Sequence, residues 1–167
     1  VVVSVVSRWR WPGGLGEEVV DAGEGLGSDP AAEPTFEHGD EFRYLRRGLG
    51  EGLRLWSTAP AFTRSPLEEA TSGGNDLTRP QDWAIVILPM IHRDKAVWGE
   101  NADQFDPDRF LPENSRGRMP HPYKPFGTGE RSCIGRQFAL HEALLVPARM
   151  LHRYALAGDP GYEPRTT

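Results

Sequence analysis

The chain has 167 residues, a single cysteine and a net charge of −5. That length suits one domain, one cysteine closes no internal disulfide, and the charge argues against a nucleic-acid partner. Nineteen glycines and fifteen prolines make up a fifth of the chain, and apolar residues only 38%, so a thin core with much irregular structure is expected. No apolar run approaches the roughly 20 residues needed to span a bilayer, and the opening stretch lacks the basic region of a signal peptide. With the lone cysteine, this points to the cytoplasm. Valine at position 1 fits an alternative start codon or a cut end.

In chain order, residues 1–11 are apolar and β-branched enough for a strand, and Pro12 stops them. Residues 13–41 carry nine acids and no lysine or arginine, and read as a solvated face. Leu15, Val19, Ala22 and Leu26 give a weak amphipathic helix there, undermined by six glycines. Phe42, Leu45, Leu49, Leu53 and Trp56 then step by 3, 4, 4 and 3, which predicts a helix with one apolar face. On it, Glu51 and Arg54 sit three apart, and by spacing alone read as an exposed pair of little energetic weight. Residues 83–88 (W-A-I-V-I-L) predict a short buried strand closed by Pro89, and residues 90–97 a helical turn. Residues 98–125 show no sustained period and read as a long loop. Ile134, Phe138, His141, Leu145 and Ala148 predict a long helix with a buried face, with a kink or early end near Ala143 caused by Pro147. From Gly158 the chain reads as a polar tail.

Residues 126–135 read F-G-T-G-E-R-S-C-I-G. They place the only cysteine, Cys133, in a glycine-rich loop ahead of a helix. A helix N-terminus and a neighbouring arginine both favour a negatively charged sulfur that can bind a metal. Gly127 and Gly129 permit a tight turn, and Gly135 removes a side chain where a flat ligand would pass. The pattern F-x-x-G-x-R-x-C-x-G should arise by chance on the order of once in ten million starting positions. No histidine cluster competes for a metal: His141 and His152 read as core or surface residues.

This loop resembles the haem-ligand loop of the cytochrome P-450 family, the haem-thiolate monooxygenases. The resemblance extends to E-G-L-R at Glu51 to Arg54, similar to the family's E-x-x-R helix. It also covers F-D-P-D-R-F at Phe105 to Phe110, with Asp108 where glutamate is commoner, and H-P-Y-K-P-F-G at His121 to Gly127. It implies a mainly α fold with small β elements, the C-terminal portion of the P-450 fold. Cys133 would be the axial thiolate of haem b, and Arg131 would pair with a haem propionate. Phe126 would pack beside the sulfur, with Gly127, Gly129, Ile134 and Gly135 completing the cofactor site. Glu51, Arg54 and Arg109 would form a buried ion-pair network that steadies the loop. L-R-L-W-S-T-A-P-A-F at Leu53 to Phe62 and H-R-D-K-A-V-W-G at His92 to Gly99 are most similar to bacterial fatty-acid hydroxylases of this family fused to a flavin reductase. Ala59, Pro60 and Ala61 would then line a pocket for an apolar substrate. Electrons would come from NADPH through a fused reductase or a ferredoxin, with Arg116, Arg118, Lys124 and Arg136 able to receive an acidic donor protein.

The family's oxygen-activating helix is not in the sequence, so residues 1–157 are expected to be a partial haem domain with no catalytic distal residue. The three glycines Gly48, Gly50 and Gly52 inside the E-x-x-R helix weaken it further. Three readings follow: a fatty-acid-type monooxygenase of which this is a C-terminal piece, a haem-binding module without oxygenation, or a non-functional remnant.

Overall fold

The computed structural model describes residues 35, 42–119 and 121–153. Among these, the elements are α1 (Arg43–Leu55), β1 (Ala61–Arg64), β2 (Ala70–Ser72), β3 (Asp76–Thr78), β4 (Ala84–Ile87), α2 (Leu88–His92), α3 (Lys95–Trp98), a 3-10 turn (Pro107–Phe110), α4 (Pro112–Ser115) and α5 (Arg136–Arg153). The fold is mainly α with small β elements, as the sequence implied. The expectations for residues 1–34, for residues 36–41 and for the polar tail lie outside the described residues. No helix among the described residues is long and apolar enough to cross a membrane.

The chain divides into two compact units. One takes the described residues up to Gly52, residues 104–117 and those from Ile134. The other takes Leu53–Asp103 and Arg118–Cys133.

In the first unit, Phe42 and Ala148 are fully buried, and Leu45 and Leu145 pack against them. On α1 the deepest stripe is not the predicted apolar one. Tyr44, Gly48, Glu51 and Leu55, stepping by 4, 3 and 4, are all buried, whereas Trp56 is exposed. The helical period was legible, but the face was one residue off, because a charged group occupies the core position. Gly50 has a packing reason: a Cβ there would lie 3.1 Å from Cδ1 of Phe110, tighter than ordinary contact. Gly52 has none, since a Cβ there would meet nothing.

α5 also corrects the prediction. It runs through Pro147 to Arg153 without the early end expected near Ala143. Its buried residues are Leu144, Ala148 and Leu151, one stripe along its second half. In its first half Phe138 is 74% exposed, and Ile134 just before it is fully exposed.

In the second unit, β1 pairs antiparallel with β4, from Ala61↔Ile87 to Arg64↔Ala84. β2 and β3 form a hairpin, and Gly73 (φ +59°) and Gly74 (φ +84°) supply its left-handed turn. The predicted strand is there, but it is not buried: Trp83, Ile85 and Ile87 are exposed. Pro89 does not merely stop it. It stands in the first turn of α2, where a missing N–H costs nothing. The predicted helical turn resolves into α2 and α3. Asp94 caps α3 by accepting the Ala96 N–H at 2.9 Å.

Candidate functional site

The acid of the E-x-x-R helix is buried and bonded. Glu51 is 0% exposed, and its Oε1 accepts the main-chain N–H of Asp106 at 2.9 Å. Arg109 Nε lies 3.4 Å from the same oxygen, and 3.9 Å from Asp106 Oδ2. Asp106 in turn caps the 3-10 turn, accepting the Asp108 N–H at 3.1 Å. The proline- and arginine-containing segment is thus an ordered turn held to the helix by a charge pair. Of the two forms a long loop over residues 98–125 could take, ordered or disordered, this part is ordered. Asp108 is mostly exposed and meets Arg47 at 3.5 Å.

The arginine of the same motif is equally buried. Arg54 donates from Nη1 to the carbonyl of His92, and its guanidinium lies 5.0 Å over the Trp98 ring. Arg118 stacks at 4.4 Å on that ring as well. Trp98 Nε1 donates to the Ile91 carbonyl at 3.1 Å. Spacing alone had read Glu51 and Arg54 as a surface pair; both are fully buried.

The last carbonyls of α1, which lack partners inside the helix, are capped by side chains. Ser57 Oγ donates to Leu53 O at 2.8 Å, and Arg93 Nη2 to Leu55 O at 2.7 Å. His92 Nδ1 lies 3.0 Å from Arg54 O. His92 is itself fully buried, and its Nε2 accepts the main-chain N–H of Lys124 at 3.0 Å. An acceptor there requires a neutral ring protonated on Nδ1. Burial, opposed in part by the bond to Arg54 O and reinforced by the Arg54 and Arg93 charges, holds its pKa below the ordinary 6.5.

The cysteine loop is built from backbone bonds. Lys124 O accepts the Gly127 N–H at 3.0 Å, Gly129 O accepts that of Ser132 at 3.0 Å, and Phe126 O accepts that of Cys133 at 2.9 Å. Gly127 (φ +70°) and Gly129 (φ +77°) occupy the left-handed region, as the glycine pattern predicted. Arg64 of β1 donates to Thr128 O at 2.8 Å, tying the sheet to the loop. Cys133 is a free, exposed thiol, and Arg131 is exposed beside it in sequence. Phe126 and Gly127 are half-buried, as is Gly135. The helix does not start at Ile134: residues 134–135 form a turn, and α5 opens at Arg136. Ala59, Pro60 and Ala61 are all exposed, and Pro60 O accepts the Leu88 N–H at 2.8 Å.

Sequence reasoning missed His92, Trp98 and Arg64. None stands in a periodic apolar pattern, and each works through a partner more than 30 residues away or through main-chain atoms.

The chain belongs to the cytochrome P450 family. The family's sequence profile, Cytochrome P450, matches residues 18–167. The chain is 44% identical over 133 residues, 79% of its length, to a bifunctional cytochrome P450/NADPH–P450 reductase of Bacillus subtilis. It is 42% identical over 138 residues, 81% of its length, to one of Bacillus cereus. A self-sufficient cytochrome P450 monooxygenase of Aspergillus niger is 44% identical over 135 residues, 80% of the chain. In each case the match covers 12% of the relative's length.

Proposed function

We propose that the chain supplies the cysteine-side haem seat of a haem-dependent monooxygenase that hydroxylates a fatty acid or similar apolar substrate. The observation that carries this is the exposed Cys133 thiol at the end of a loop pinned by the Cys133 N–H to Phe126 O bond.

The chain's own groups fit an iron porphyrin. Cys133 offers one accessible sulfur and Arg131 an exposed guanidinium suited to a carboxylate, and Ile134, the residue after the cysteine, is exposed. In this reading Cys133 would ligate the iron, Arg131 would hold a propionate, and Phe126 and the glycines Gly127, Gly129 and Gly135 would shape the seat. When bound, haem supplies O₂ activation, which a thiolate ligand favours in P450s generally. The protein's part is to hold the sulfur still. Glu51, Arg54 and Arg109 would be the brace, a reading the Glu51–Arg109 approach of 3.4 Å supports. Ala59, Pro60 and Ala61, exposed ahead of and at the start of β1, would meet the substrate.

Electrons would come from NADPH through a fused flavin reductase or a ferredoxin, and two relatives named as bifunctional P450/NADPH–P450 reductases support the fused form. Of the basic residues offered to a donor, Arg118 is committed to Trp98.

The purified chain is mixed with haem, reduced and exposed to CO. A red-shifted thiolate-type Soret band is expected, and its absence would overturn the reading. Hydroxylated product from a fatty acid and an electron donor supports the monooxygenase. Haem binding without product supports a haem-binding module instead.

A further inference from the structure

His92 lies 41 residues before the cysteine and belongs to no metal or cofactor motif, yet its bonds lead to the ligand loop step by step. Its Nε2 accepts the Lys124 N–H at 3.0 Å. The carbonyl of that same residue accepts the Gly127 N–H, which closes the turn containing Phe126. Phe126 O then accepts the Cys133 N–H. At its other nitrogen, His92 is anchored to rigid structure. Nδ1–H donates to Arg54 O at 3.0 Å, and Ser57 Oγ stands 3.2 Å away. Ser57 spends its own proton on Leu53 O, so toward the ring it can only accept. The His92 carbonyl receives the Arg54 guanidinium, and Tyr123 packs against the ring with centroids 5.5 Å apart. Every polar atom of this buried residue that these bonds involve has a fixed direction, as a residue that sets another segment's place requires.

We propose that His92 is a positioning residue for Cys133: its ring transmits the fixed end of α1 to the Lys124–Gly127 turn and so sets where the sulfur is presented. This rests on reading Cys133 as the thiolate ligand. Two substitutions separate the ring's halves. In His92→Gln the amide reaches the place of Nε2 and can still accept from Lys124. In His92→Asn it reaches only the place of Nδ1, keeping the bond to α1 and losing that to the loop.

Amide hydrogen exchange of the whole haem-free chain reads the effect directly, with α5 as internal reference. His92→Asn should raise exchange at Lys124, Gly127 and Cys133 about tenfold, the loss of one buried hydrogen bond. His92→Gln should stay within about threefold of wild type. In the haem-loaded protein the share of thiolate-type Soret band should rank wild type, Gln, Asn. Equal exchange in wild type and His92→Asn would overturn the proposal. So would loss of protection throughout α5 in both variants, which would make His92 a general support of the fold. A wild-type chain with no thiolate band would defeat the ligand reading, while the exchange result would still decide what His92 does to the loop.

Discussion

The end of α1 and the approach to α5 distribute polarity in opposite ways. Around the end of α1, Glu51, Arg54 and His92 are buried to 0% exposure, and each has named polar partners. Approaching α5 and in its first turn, Ile134 and Phe138 are exposed apolar residues flanking the C-terminal side of the only thiol. Buried charges cost several kcal/mol each unless matched, so the first region is stable only as a complete network. Exposed apolar side chains contribute little to folding, so the second can change without harming the fold. One region depends on matched buried charges, and the other leaves apolar side chains exposed.

The largest expected effect is at the first region. Glu51→Ala leaves Arg109 buried against a lost partner and should cost about 3–5 kcal/mol in denaturant unfolding. A loss under about 1 kcal/mol would mean that the network is not what stabilises α1. The next effect is in pH. His92 is neutral when folded because burial and the Arg54 and Arg93 charges depress its pKa, whereas unfolded it titrates near 6.5. Below that pH the unfolded chain binds more protons, so stability falls as pH drops through 6.5. Urea midpoints at pH 7.5 and 5.5 should therefore differ more in wild type than in His92→Gln, and equal differences would contradict the assignment. Within α1, Gly52→Ala should gain about 0.5–1 kcal/mol, since its Cβ meets nothing. Gly50→Ala should gain less or lose, against the Phe110 ring at 3.1 Å. The smallest effect on stability belongs to the second region: Phe138→Ser should stay within about 0.5 kcal/mol of wild type in denaturant unfolding.

The same contrast explains what could be read from the sequence. The glycine pattern identified the cysteine loop and its two left-handed turns, and the family resemblance implied the burial of Glu51 and Arg54. Helical spacing alone had put those two on the surface, because periodicity assumes that core positions are apolar. It also assigned Ile134 and Phe138 to a core, whereas both are exposed, because an apolar period does not say what covers it. Pro147 was expected to end a helix that continues past it. The β2–β3 hairpin has its sequence signal in Gly73-Gly74-Asn75, at a turn rather than in an apolar period. His92 was beyond sequence reading: its role depends on the main chain of Lys124, 32 residues away, and main-chain partners leave no mark in residue type.

The central claim is that Cys133 binds haem iron on a frame that stands without it. The measurement is a haem titration of Cys133→Ser beside wild type, each reduced under CO and each checked by far-UV circular dichroism. The account predicts matching dichroism, a red-shifted thiolate-type Soret band in wild type and none in the serine variant. The same band in both proteins would contradict it.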